Sequence, residues 1–346
     1  MSNALRVLIV RVGAMGDVLH GLPAVAALRS ALPDCFIGWA IEPRWRALLQ
    51  TENASARGRE MPIVDRVHLV PTRAWKQQPF SVSTLRQIAK LRRETLGKHY
   101  DVCVDLQGSI RSAVIGRMSG APRFIGTRKP RERQARALYR ERLDVGAVNV
   151  IDQACELLGA GVGFDLAPAT VTLPVEIEAE VWADYLLHQA KSQTALIVPT
   201  AGWGAKEWGV AKYCELAANL NRAGMKILVN ASSVDDVMAR EIADCGGGIV
   251  AATTLPQLIA LTRRVSLAIG GDTGPVHLAA ALGRPVVALF GPTDPARNGP
   301  YFPGANVHIL RDPSSRTDHK RHAETEAGLA RISVEDVTAA ALSIKL

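Results

Sequence analysis

The feature that most constrains this chain is an end-to-end alternation of strand-length apolar runs with segments of helical period. In the first half the runs are LRVLIVRV, CFIGWAI, VDRVHLV, YDVCVDLQ and RFIG, interleaved with helical patterns such as PAVAALRSAL and VSTLRQIAKLRRETLG. In the second half TALIVPT, MKILVN, GGIVAA, VSLAIG, PVVALFG and NVHIL alternate with VAKYCELAANLNRAG and LPQLIALTRR. Such alternation predicts an α/β architecture of doubly wound parallel sheets with helices on both faces. With 346 residues the chain exceeds one comfortable core, so two domains are expected. The Gly- and Pro-rich stretch GVGFDLAPATVTLPVEIEAE divides them, giving predicted domains at 1–165 and 174–330. Open parallel sheets bind ligands at the carboxyl ends of their strands, so a cleft lined by both sheets is the expected functional region.

Apolar residues make up 48% of the chain and charged ones 21%, which suits folded domains rather than disorder. The first apolar run is short, lies between Arg6 and Arg11, and lacks a small-residue cleavage site, so no secretory signal is read. No window reaches the roughly 18 apolar residues of a membrane-spanning helix. Five scattered cysteines without Cys-x-x-Cys spacing fit a reducing, cytoplasmic compartment. The net charge of +8 is unevenly spread: residues 1–160 hold 25 Lys/Arg against 14 Asp/Glu. A basic first half suggests an anionic partner there, while nothing beyond charge favours nucleic acid.

After the first strand comes RVGAMGDVLHGLPA. Gly13, Gly16 and Gly21 do not form Gly-x-Gly-x-x-Gly, and no Walker loop occurs, which argues against a nicotinamide oxidoreductase. Asp17 stands where a helix begins and would repel a bound pyrophosphate. That position suits a carboxylate that has to stay charged and accept a proton, or one that caps its own helix; one side chain can do both.

A second polar centre is read in SLAIGGDTGPVHLAAALGRPVVALFGPTDP, where Pro275 opens a helix and Gly283 closes it. Free amides around Thr273 and Gly274 form a diphosphate site, flanked by Asp272 and His277; a structural role for His277 stays open. In PTAGWGAKEWGVAKYCELA, Lys206 follows a glycine-rich loop and suits a diphosphate leaving group, or is an ordinary surface lysine. No Asp-x-Asp pair occurs to hold a divalent ion, and His319 and His322 in HKRH read as a solvated run, so no metal and no cofactor are expected. Lys206 and the helix terminus would then neutralise a departing diphosphate.

These motifs together resemble the lipopolysaccharide heptosyltransferases, bacterial inverting glycosyltransferases with the GT-B fold of two Rossmann-like domains. GAMGDVLHGLPA looks like the opening of the type I enzymes, and DLQGSIRSA, GAKEW, GGDTGPVHLAAALGRP and LFGPTDP follow in the family's order. The resemblance implies transfer of L-glycero-D-manno-heptose from an ADP-heptose donor to Kdo of the inner core, an anionic Kdo-lipid A acceptor at the inner membrane surface. It makes Asp17 the general base and Lys206 a catalytic and donor-binding residue, with Asp272, Thr273, Gly274 and His277 lining the donor pocket. Arg73 and Lys76 match a basic acceptor patch, with Gln107 and Arg111 beside it. Asp236, or its neighbour Asp235, falls where the family places a carboxylate on the donor ribose. The resemblance also has residues 331–346 form a closing helix that packs back on the first domain, and makes the protein cytoplasmic or peripheral on the inner membrane. RKPRERQARALYRER, residues 128–142, holds seven Lys/Arg that could steer the acceptor or touch anionic lipid.

DTGPVH stands where type I enzymes usually carry DTGLSH, and GWGA precedes Lys206 where they carry polar residues, which leaves the exact donor and acceptor open. The alternatives are another GT-B sugar-nucleotide transferase, such as heptosyltransferase II or one for a different glycan, and a non-catalytic nucleotide-sugar-binding module.

Overall fold

A computed structural model describes residues 4–188, 193–200, 203–318 and 324–344. His319 and His322 lie outside the described residues, as does Gly202 of GWGA. The chain divides into two compact units, Met1–Pro174 and Val175–Leu346. Each is a six-stranded, all-parallel sheet flanked by helices.

The first unit runs β1 (Arg6–Val10), α1 (Met15–Ala31), β2 (Phe36–Ile41), β3 (Arg66–Leu69), α2 (Thr72–Gln77), α3 (Val82–Leu96), β4 (Val102–Asp105), α4 (Ile110–Met118), β5 (Arg123–Thr127), β6 (Glu141–Leu143) and α5 (Val150–Val162). Its strand order is β3-β2-β1-β4-β5-β6. β1 and β4 are buried on both faces, as continuous apolar runs in a parallel sheet require, and Ile9 lies between Trp39 and Val104 in the register. Helix α1 is buried along most of its length and carries Pro23 in its interior. The switch point between β1 and β4 directs the loops after these two strands to one place.

The second unit repeats that order. It comprises α6 (Ile177–His188), β7 (Thr194–Val198), α7 (Val210–Arg222), β8 (Lys226–Ala231), α8 (Val237–Cys245), β9 (Ile249–Ala252), α9 (Leu255–Thr262), β10 (Leu267–Gly271), α10 (Gly274–Ala281), β11 (Val286–Leu289), α11 (Pro295–Asn298), β12 (Val307–Leu310), α12 (Ala327–Arg331) and α13 (Val334–Ser343). Its order β12-β11-β10-β7-β8-β9 puts the switch point between β7 and β10.

Two segments at the edges of the units are placed by burial. The segment after α5 belongs to the first unit, where Leu166, Val171 and Leu173 are buried, and Glu178 and Glu180 lie in the first turn of α6. The closing helix, α13, packs within the second unit. Val334, Val337, Ala341 and Ile344 join the apolar core of the second, with Leu216 and Leu220 of α7. The approach is fixed by polar bonds: Trp208 Nε1 donates to the Ile332 carbonyl at 3.0 Å and Lys212 Nζ to the same oxygen at 2.7 Å. Burial of these side chains, each worth about 1.5–3 kcal/mol for the larger ones, holds the helix in place.

Two buried polar groups brace the first sheet. Asp105, at the end of β4, accepts from the Gln107 and Gly108 amides at 2.9 and 3.2 Å, Ser112 Oγ at 2.9 Å and the Tyr139 hydroxyl at 2.8 Å. Burial raises its pKa, and these four bonds oppose the rise. His68 on β3 is fully buried, with Nε2 2.8 Å from the Tyr100 hydroxyl. Burial, with the charges of Arg66 and Lys98, lowers its pKa to about 4.

Asp105→Ala leaves two hydroxyls and two amides without their acceptor, and should cost about 3 kcal/mol in urea unfolding. For His68, the unfolded chain binds a proton near the ordinary pKa while the native state resists it down to about 4. Stability should therefore be full above pH ~6.5 and decline as pH falls toward 4, by on the order of 3 kcal/mol. His68→Gln should flatten that part of the pH–stability curve, measured by thermal melts across the range.

Candidate active site

In the first unit the site residues gather at the carboxyl ends of β1, β2 and β4. Asp17 occupies the first turn of α1, where its Oδ2 accepts from the Ala14 amide at 3.0 Å and its Oδ1 faces Arg11 Nη2 at 3.0 Å. Capping and charge pairing thus coexist in one carboxylate whose side chain is still 36% exposed. Arg11, which the sequence reading passes over as a flank of the first strand, has its Nε on the Asp17 carbonyl at 2.9 Å and its Nη1 on that of Leu106. It aligns the carboxylate and ties the loop after β1 to the loop after β4.

Gln107 strengthens the same tie. Its Oε1 accepts from the Val12 and Gly13 amides at 2.7 and 3.3 Å, and its Nε2 donates to the Gly13 carbonyl at 2.6 Å. Both ends of the amide are engaged in positioning the loop ahead of Asp17.

The predicted basic residues meet a carboxylate absent from the sequence reading. Glu42 follows β2 and is buried; it accepts from Thr72 Oγ1 at 2.5 Å and from the Arg73 amide at 3.3 Å. The Thr72 hydroxyl in turn accepts from Arg111 Nη1 at 3.0 Å. Arg73 and Arg111 are thereby brought together, with Lys76 exposed one turn further along α2. Burial, and the nearby charge of Arg73, lower the pKa of Arg44, while Glu42 opposes the change. The only local signal of Glu42 in the sequence is a lone acid at the end of an apolar run.

In the second unit the loops after β7 and β10 are joined by charge. Lys206 ends a single 3-10 turn, Gly204–Lys206, and its Nζ lies 2.5 Å from Asp272 Oδ2. Asp272 Oδ1 receives His277 Nε2 at 2.7 Å, and Thr293 Oγ1 donates to Oδ2 at 2.7 Å. Burial alone would raise the Asp272 pKa; the hydrogen bond and charge of His277 and the charge of Lys206 outweigh it and hold the carboxyl far below the usual range. Asp272 is therefore the anion that seats Lys206 and His277. Thr293, inside the LFGPTDP motif, is the partner that the sequence reading leaves without a role. Gly271 allows this approach, because a Cβ there would stand 2.7 Å from the Lys206 carbonyl oxygen.

Helix α10 opens at Thr273 and Gly274, with Pro275 in the first turn and no side-chain cap. Its first amides have no partner within the helix, and the Thr273 Oγ1 is buried without a hydrogen-bond partner. This is a donor-rich terminus suited to an anion. A separate cavity of ~300 Å³ is lined by Thr200, Asn230, Ser232, Asp236 and Thr253. Asp236 caps α8 through the Ala239 amide at 3.0 Å, whereas Asp235 is exposed and paired with Arg240. Of the two aspartates, Asp236 is the one at the cavity. Among the described residues no group of three or more His, Cys, Asp or Glu is placed to hold a metal ion.

The chain is 28% identical over 306 residues to lipopolysaccharide heptosyltransferase 1 of Salmonella typhimurium, covering 86% of this chain and 92% of the relative. The fold is shared with E. coli heptosyltransferase WaaC, solved with ADP, at a TM-score of 0.76, 23% identity, and coverage of 97% of this chain and 98% of that one. A family 9 glycosyltransferase from Veillonella parvula superimposes at a TM-score of 0.80 with 21% identity, over 99% of this chain and 98% of its own. The profile of glycosyltransferase family 9 (heptosyltransferase) matches residues 88–327, the greater part of the sequence. The two Rossmann-like sheets are those of a GT-B transferase, and the chain belongs to glycosyltransferase family 9, the heptosyltransferases.

Proposed function

We propose that the protein transfers L-glycero-D-manno-heptose from ADP-heptose to a Kdo residue of the lipopolysaccharide inner core, with inversion at the anomeric carbon. Heptose transfer in the lipopolysaccharide core is the activity that its near-full-length relatives support. The observation that carries the chemical assignment is Asp17: both carboxylate oxygens are oriented, by Arg11 and by the Ala14 amide, yet the side chain stays accessible.

In this reaction Asp17 takes the proton of the acceptor hydroxyl as its oxygen attacks the anomeric carbon, and the bond to ADP breaks on the opposite face. One base suffices, because a single displacement forms no covalent sugar intermediate. Lys206 and the open start of α10 at Thr273 and Gly274 stabilise the charge that develops on the diphosphate. Asp272 and Thr293 position Lys206, and His277 completes that cluster; Asp236 and its cavity receive the nucleoside. Arg73, Lys76 and Arg111 bind the anionic acceptor, while Gln107 and Glu42 position the elements that carry them. No helix among the described residues is long and apolar enough to cross a membrane, and a lipid-linked acceptor calls for work at the membrane surface.

Asp17→Asn should lose about 10² to 10⁴ in turnover of ADP-heptose with Kdo-lipid A, while calorimetry still shows ADP binding; turnover near wild type would remove Asp17 from its role. Lys206→Ala should lower kcat/KM for ADP-heptose by roughly tenfold to hundredfold, the loss of one charged hydrogen-bond donor, with KM for the acceptor little changed.

A further inference from the structure

Segment 78–93, from the end of α2 to the last turn of α3, combines properties that none of the site chemistry uses. Phe80 is 90% exposed, the highest value for a large apolar residue among those described, and Val82 and Leu85 are 62% and 54% exposed. Phe80 is held out by a braced loop. Ser81 caps α3 by accepting from the Thr84 amide at 3.1 Å, Thr84 Oγ1 donates to the Gln78 carbonyl at 2.8 Å, and Trp75 Nε1 donates to Gln87 Oε1 at 2.9 Å. Below the apolar tip, α3 exposes Arg86, Lys90, Arg92 and Arg93, and residues 71–98 contain seven Lys/Arg against Glu94 alone.

An apolar tip followed by a collar of cations is complementary to an anionic bilayer, whose acyl boundary takes the first and whose phosphates take the second. The other basic run, residues 128–142, exposes its cations but buries Ala135 and Tyr139, so it offers charge without an inserting group. The exposed stripe Ile177, Val181 and Tyr185 on α6 has the opposite shortage, since Glu178 and Asp184 lie among its residues.

We propose that Phe80, Val82 and Leu85 insert into the headgroup boundary of an anionic membrane while Arg86, Lys90, Arg92 and Arg93 bind its phosphates. This is the face by which the enzyme docks. The inference rests on the lipid-linked acceptor proposed above for the identity of the membrane as partner, and on segment 78–93 for the surface. Docking here places Arg73 and Lys76, just ahead of the tip in sequence, near the headgroups from which an acceptor would be drawn.

The test is sedimentation of the purified full chain with phosphatidylcholine vesicles, with and without phosphatidylglycerol. Wild type should bind only the anionic vesicles and be released by salt. Phe80→Ser with Leu85→Ser should lower the partition coefficient by about tenfold or more. Arg86→Glu with Lys90→Glu should lower it at least about fivefold per cation. The same changes at Arg133 and Arg136 should have a smaller effect. In parallel, turnover is read with a Kdo-containing acceptor stripped of its acyl chains, which the four tip and collar substitutions should leave unchanged. Absence of wild-type binding, equal binding by the tip variant, or a larger loss at Arg133 and Arg136 overturns the docking face while leaving the transferase reading intact. So does a change of oligomeric size in the tip variant without a loss of vesicle binding. Normal vesicle binding without turnover would instead overturn the transferase reading alone.

Discussion

In both units the structure depends on closing the gap that a parallel sheet leaves at its switch point. There the chain turns away in different directions from two adjacent strands, and the loops between them expose backbone polar groups. The first unit closes the gap with the Gln107 amide and the Arg11 guanidinium, which bind backbone across it. The second closes it with the Lys206–Asp272 ion pair, reinforced by His277 and Thr293. The same topological position is filled by side chains bonded to backbone in one unit and by an ion-paired side-chain cluster in the other. That difference suits the tasks proposed for them, orienting a base in one and receiving a diphosphate in the other.

Buried carboxylates do most of this ordering. A charge out of water is tolerated only when its oxygens are fully bonded. Asp105 meets the demand with two amides and two hydroxyls, Glu42 with Thr72 and the Arg73 amide, and Asp272 with a lysine, a histidine and a threonine. Apart from Tyr139, which leads into β6, the donors come from loops or helix starts at the carboxyl ends of the sheets. Satisfying the acids therefore fixes where the functional loops lie.

Eleven of the twelve strands among the described residues are legible in the sequence as apolar runs, most plainly β1, β4, β7 and β10, which are buried on both faces. β6 is the exception: Glu141–Leu143 is a short edge strand set in a basic segment, with no apolar run to announce it. The start of α1 is legible at Asp17, although Gly16, Gly21 and Pro23 weaken the helical pattern that tertiary burial sustains. Asp17, Lys206, Asp272, Thr273 and His277 could be named in advance because they sit in glycine-rich turns after strands. Arg11, Glu42 and Thr293 could not, because each acts on a residue distant in sequence or set apart by a loop. Gln107 and Asp272 illustrate the same limit: residue type reveals what a side chain can bond, while only the fold reveals which protein groups it already bonds.

The strand order also bears on how the chain is made. β1 lies at the middle of its sheet, yet Val7 pairs with Val102, which leaves the ribosome long after it. The partner on the other side, β2, arrives early, so the nascent polypeptide carries a paired but open-edged apolar ribbon until β4 is translated. β7 repeats the predicament, with Ala195 waiting for Leu267. Biosynthesis thus passes twice through a species with an uncovered central strand, the kind of intermediate that aggregates or recruits chaperones. Each half can complete its own sheet before the other is finished, which confines that exposure to one half at a time.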